Sequence, residues 1–208
     1  MMPGTVISQS IGVFPGWVQW RTGEGPARAE ELARGGADGA AAQESVRQAV
    51  VRLDALCQAD GLFFAAGLWV PDRTTGVAVA TAQLELLTGA PDRDASWADE
   101  LERARAFRAE RGFKVFDRAV EPMTLPAGPA FGTITVLAET PRGGLFGRRS
   151  GSSPVETRVE VTVFPPGSSD VLRLAVRSFE SDLLDALVDQ ARNLAESIKV
   201  VVGPVPAP

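Results

Sequence analysis

The sequence predicts an α+β fold: an antiparallel β-sheet flanked by helices, an α/β/α sandwich built as a single domain. Three observations carry this reading. Helix-like and strand-like segments follow one another as strands, helix, two strands, helix, four strands, helix, an order that suits a sheet with helices packed on it. Segment 155–164 alternates strictly, with Val155, Thr157, Val159, Val161 and Val163 on one face and Glu156, Arg158, Glu160 and Thr162 on the other, as a half-buried antiparallel strand does. The chain has 208 residues, 45% hydrophobic and 23% charged, enough for one sizeable core and too few for two ordinary domains. The domain is expected to span 1–201, leaving 202–208 as a frayed, Pro-rich tail.

Taken in order, residues 5–20 hold Val6, Ile7, Ile11, Val13, Phe14, Trp17, Val18 and Trp20, and Pro15-Gly16 divides them into two strands joined by a tight turn. Residues 21–39, rich in Gly and Ala, read as a loop with a short helix over 27–33. Positions 40–60 predict the first long helix, because Val46, Ala49, Val50, Leu53, Leu56 and Cys57 form one stripe. Asp38 suits its N-cap, and Gly61 suits a left-handed C-terminus. Leu62–Val70 and Val77–Leu87, around the turn 71–76, predict a β-hairpin whose strands do not alternate and so are buried on both faces.

A second helix is expected over 97–111, with a Ser96/Asp99 capping box, a stripe of Trp97, Leu101, Ala104 and Arg108, and Gly112 closing it. Strands follow at 113–120, 130–140, 155–164 and 171–179. The last helix, 183–198, carries the broadest stripe (Leu183, Leu184, Leu187, Val188, Ala191, Leu194, Ala195, Ile198), with Ser181 as N-cap and Asp182 and Asp185 at the positive end of its dipole.

Composition excludes more chemistry than it suggests. With no His and a single Cys, neither Ser-His-Asp nor Cys-His catalysis can be assembled, nor a His-ligated metal centre, a zinc-thiolate cluster or an intramolecular disulfide. Two of the 21 basic residues are lysines, Lys114 and Lys199, an arginine skew that reflects genomic base composition. A net charge of −5 and a pI near 4.9 argue against a nucleic-acid partner. The opening Met1-Met2-Pro3-Gly4 has no secretory pattern, and no apolar run approaches a membrane span. A cytoplasmic protein with no cofactor, no metal and no membrane insertion is expected.

Five features are weighed as sites. Cys57 lies on an apolar helix stripe with no base nearby and is expected to be a buried structural thiol. Carboxylates near Asp92, Asp94, Asp99 and Glu100 could hold a hard cation, but they also suit a helix start. Glu180, Asp182, Asp185 and Asp189 read as a solvated helix face rather than a glycosidase pair. The segment 141–154 holds Arg142, Arg148 and Arg149 among Gly and Ser, with no acid. It reads as a flexible hairpin connection and supplies a candidate contact for an acidic partner or anion. Trp17 and Trp20 are binding candidates if exposed, though packing in the core is the expected outcome.

Three places carry a family resemblance. Ile11-Gly12-Val13-Phe14-Pro15-Gly16-Trp17 resembles the opening strand and turn of PsbP-like (Mog-type) α/β/α sandwich domains. Leu125-Pro126-Ala127-Gly128-Pro129-Ala130 is similar to the motif before a central strand in uncharacterised members from high-GC bacteria, and 172–198 resembles their closing strand and long helix. The resemblance implies binding or assembly rather than catalysis. The resulting expectation is a non-enzymatic accessory protein that binds another protein through a sheet edge or loops. A small-molecule or lipid carrier with a cavity between sheet and helices is the alternative, and a carboxylate-based metal-dependent hydrolase a third.

Overall fold

The computed structural model describes residues 4–88, 93–106, 113–139 and 154–204. Its elements are β1 (Thr5–Ser10), β2 (Trp17–Arg21), α1 (Gly25–Gly36), α2 (Ala40–Asp60), β3 (Phe63–Trp69), β4 (Ala80–Leu87), α3 (Arg93–Arg105), β5 (Phe113–Leu125), β6 (Gly128–Glu139), β7 (Val155–Val163), β8 (Val171–Ser178), a 3-10 turn (Ser181–Leu183) leading into α4 (Leu184–Glu196), and β9 (Lys199–Gly203). Seven strands form one antiparallel sheet in the order β2-β3-β4-β8-β7-β6-β5, and β1 and β9 form a separate two-stranded ribbon.

The strand period of two sorts side chains onto opposite faces. Trp17, Trp69, Ala82, Leu84, Ala130, Val161 and Leu174 join Leu187, Ala191 and Leu194 of α4 in one core. Their immediate neighbours Val18, Leu68 and Ala66 turn the other way, onto Ala33, Val46 and Val50 of α1 and α2. On that second face, beyond β4, α3 sets Trp97 against Phe131 (ring centroids 5.6 Å apart) and edge-on to Phe164 (5.1 Å). The outcome is the expected sandwich, with α4 on one face and α1, α2 and α3 on the other.

Several elements differ from the sequence reading for identifiable reasons. α1 is a full helix where a loop with a short helix was expected. Its buried stripe is Ala29, Leu32, Ala33 and Gly36, in which Leu32 is the one large apolar side chain and the rest are small residues suited to close approach. A Cβ on Gly36 would sit 2.4 Å from Val18 Cγ2. β1 and β2 do not pair with each other: β1 pairs with β9 from the far end of the chain, and β2 with β3. The turn at Gly16 (φ +80°) carries the chain from one sheet to the other. Asp170, buried, anchors the ribbon by accepting from Thr5 Oγ1 and from the Val6 N–H at 2.8 Å.

Caps were the least legible feature. α2 has the expected span and ends at Gly61 in the left-handed region (φ +68°), but its N-cap is Gly39. Asp38 instead accepts from Arg73 Nη2 at 3.0 Å. α3 begins at Arg93, so Ser96 and Asp99 lie inside the helix, and the expected closure at Gly112 falls outside the described residues. Ser181 opens the 3-10 turn, and the N-cap of α4 is Leu183, with no side-chain cap bond. β5 runs five residues beyond its expected end, to Leu125. Val202 and Gly203, assigned to the tail, complete β9 instead.

Candidate functional site

Between the α1/α2 pair and α3, the second face of the sheet carries a polar strip. The same-facing positions are Gln83 and Glu85 on β4, Arg173 and Arg177 on β8, Glu156, Arg158 and Glu160 on β7, Thr133 and Thr135 on β6, and Arg118 on β5. On β4, β8, β7 and β6 they face away from α4 because strand neighbours such as Leu84, Leu174, Val159 and Ile134 pack in its core, and Arg118 shares their face by its register with Thr135. Register aligns four of them in a transverse row, with Arg177 opposite Arg158, Arg158 opposite Thr135, and Thr135 opposite Arg118.

The ionic pairing along this strip is uneven. Glu85 and Arg173, directly opposed across β4 and β8, pair at 3.4 Å. Glu156 Oε1 accepts from Arg158 Nε (3.2 Å) and Nη2 (3.1 Å). The same oxygen is 3.9 Å from Arg177 Nε, beyond hydrogen-bond reach. Arg118 donates from Nε to the Ala104 carbonyl at 3.0 Å and from Nη1 to Thr135 Oγ1, tying β5 to the end of α3. Burial holds both the Arg118 and Arg177 guanidiniums below their ordinary range. Glu160 opposes the shift at Arg118, and Arg158 adds to it at Arg177. The strip thus sets four guanidiniums beside the carboxylates of Glu85, Glu156 and Glu160.

The residues singled out from sequence lie elsewhere. Trp17 and Trp20 are 6% and 4% exposed. Trp17 stacks near-parallel with Trp69 and donates Nε1–H to Gln190 Oε1 at 2.7 Å, while Trp20 donates to the buried Asp54. Both rings are core, as packing predicted, and neither offers a binding surface. Arg142, Arg148 and Arg149 lie outside the described residues, as do Asp92 and, at the side-chain level, Asp94. Glu100 pairs with Arg103 at 2.6 Å. Glu180, Asp182, Asp185 and Asp189 are exposed.

Cys57 is fully buried. Burial pushes its thiol up, against the opposing Gln83 Nε2 donation to Sγ at 3.2 Å, which leaves a thiol unfit for nucleophilic work. Among the described residues, no group of three or more acidic or Cys side chains is placed to hold a metal ion, and no helix is long and apolar enough to cross a membrane.

Sequence reasoning had noted Glu156, Arg158 and Glu160 only as the polar side of a strand. The overlooked signal was β8, where Arg173 and Arg177 interrupt an otherwise apolar run at the same period of two. A cleft of about 430 Å³ opens beside β9. It is lined by Pro126, Ala127, Pro165, Pro166, Lys199 and Val202 among others.

Comparison with solved structures places the fold. LpqN of Mycobacterium tuberculosis, described as involved in cell envelope biogenesis, matches with a TM-score of 0.50 and 15% identity, covering 96% of this chain and 86% of that one. Cyanobacterial PsbP (CyanoP) from Synechocystis sp. PCC 6803 matches at 0.45 and 7% identity, over 93% and 86%. The Saccharomyces cerevisiae Ran-binding protein Mog1p matches at 0.33 and 10%, over 59% and 68%. No family model matches the chain, and no curated protein matches its sequence. The likeness to LpqN shows that the chain has the PsbP/Mog1-type sandwich fold implied by the sequence resemblance.

Proposed function

We propose that this protein is a non-enzymatic accessory module that binds another protein, with the polar strip between α2 and α3 as its contact face. The observation that carries this is the direct opposition of Arg158 and Arg177, where among the described residues Glu156 is the one carboxylate within 4 Å of both. Like charges directly across a sheet destabilise it, so a pair of this kind fits a recognition role better than a structural one. Within the strip the transverse row of Arg118, Arg158 and Arg177 is the basic part, suited to an acidic group on a partner surface. A Ran-binding protein among the solved structures of this architecture is in keeping with a protein partner. A cytoplasmic location, expected from the sequence, is part of the same proposal. Arg142, Arg148 and Arg149, in the segment joining β6 to β7, are proposed on sequence grounds as a second basic contact.

Affinity purification from the native host, with quantitative mass spectrometry, tests the reading. Wild type should enrich a partner that Arg158→Gln/Arg177→Gln recovers at least about tenfold less, a difference of roughly 1.4 kcal/mol in binding. Equal recovery by the two proteins removes the strip as the contact. Arg148→Glu/Arg149→Glu, assayed alongside, reports on the loop separately. The alternative, a small-molecule carrier, draws on the 430 Å³ cleft beside β9, which is within the usual range for ligand sites.

A further inference from the structure

Resting on the protein-binding reading above, we infer that the Arg158–Arg177 pair is an oxyanion site, taking a carboxylate or phosphate group carried on the docking segment of the partner protein. The two arginines are Cα partners on adjacent strands. Among the described residues, the acids that act on Arg177 are Glu156, Glu160 and Asp60. Glu156 is committed to Arg158 through three hydrogen bonds, and at 3.9 Å it makes none to Arg177.

Glu160 stands opposite Ala175, two pairs further along the ladder, and Asp60 ends α2. Arg177 Nε is buried and makes no hydrogen bond, while the side chain as a whole keeps 36% exposure, so an arriving group meets the guanidinium on its exposed part and not at Nε. Thr133, on the same face and 3% exposed, has an Oγ1 with no partner either. The floor of the strip therefore holds unused polar capacity beside an under-compensated guanidinium.

Guanidinium is planar, always charged, and presents paired N–H donors that match the two oxygens of a carboxylate or phosphate. A second arginine on the neighbouring strand supplies charge from the other side. The arrangement is costly to the empty sheet and favourable once an anion lies between the two cations. Folding stability should therefore not depend on Arg177, whereas binding should.

The test uses the full-length protein and three dye-labelled peptides of equal length, followed by fluorescence anisotropy at low salt. One peptide is Glu-rich, one carries phosphoserine in a neutral background, and one is the neutral Gln/Ser version. Tighter binding of either anionic peptide than of the neutral one, by at least about tenfold, is expected, together with a loss of about tenfold in Arg177→Gln. The melting temperature of Arg177→Gln should equal or exceed that of wild type, because the cross-strand repulsion is relieved.

Equal binding of all three peptides, or an Arg177→Gln protein that binds the anionic peptides like wild type, overturns the inference. So does a marked drop in its melting temperature, which would make Arg177 a structural residue. Host capture that depends on Arg158 and Arg177 while no peptide discriminates would sink the oxyanion site alone. Capture that ignores both arginines would sink the protein-binding reading itself.

Discussion

Asp54→Ala is expected to lower the unfolding free energy by about 3–5 kcal/mol, read as a shift of the urea midpoint at unchanged slope. The carboxylate is fully buried in α2. Its Oδ1 accepts from Trp20 Nε1 (2.9 Å) and from the Gly23 N–H (2.8 Å), and its Oδ2 accepts from Gln58 Nε2 (2.6 Å). It thus pins β2 and the turn into α1 onto α2. Truncation leaves the indole and the turn amide without acceptors, each costing roughly 1–3 kcal/mol when buried. It also removes Asp54 Cγ, which packs close to Gly25: a Cβ built there would lie 2.8 Å from it. Asp54→Asn keeps one carbonyl oxygen for both donors and should cost only about 1 kcal/mol, the scale of a single net hydrogen bond. Equal losses in the two variants would mean that charge, not acceptor geometry, is what the site requires.

Gly76→Ala should cost about 3 kcal/mol or more, because two independent penalties fall on one residue. Its φ of +63° lies in the left-handed region, and a Cβ there would be 2.2 Å from the Ala42 carbonyl oxygen. That contact presses the β3–β4 loop onto the first turn of α2 and leaves backbone facing backbone, so no side chain can yield. Gly61→Ala is the matched control: its φ is +68°, but a Cβ would meet nothing within 4 Å. It should cost only the left-handed penalty of about 1–2 kcal/mol. A Gly76→Ala loss no larger than the control would show that the loop moves off the helix freely.

What the sequence disclosed follows how local each interaction is. α2, the β3–β4 hairpin and α4 depend on nearest-neighbour periodicity and were readable from their stripes. α1 was understated because its buried face has Leu32 as its one large apolar residue and is otherwise Ala and Gly, of which Gly36 packs closely against Val18. The β1–β9 pairing joins the two ends of the chain, and no local pattern encodes a partner almost 200 residues away. Caps failed for a related reason, since Asp38 met Arg73 from a distant loop and left the helix end to Gly39. The strip is the extreme case. Each strand contributes one or two charges that look like an ordinary solvent face, and only register brings Arg118, Arg158 and Arg177 into one row. Trp17 and Trp20 drew attention as aromatics and were resolved by burial into packing.

The central claim, that the strip is the partner-facing surface, is tested most directly by arginine footprinting. The free protein and its complex with the captured partner are treated briefly with phenylglyoxal, and modification at each arginine is quantified by mass spectrometry. The account predicts that Arg158, Arg173 and Arg177 are modified in the free protein and protected in the complex. Arg28 and Arg47, held in exposed pairs on α1 and α2, should react equally in both. Protection confined to other arginines, with Arg158, Arg173 and Arg177 reacting alike in the free and bound protein, would contradict it.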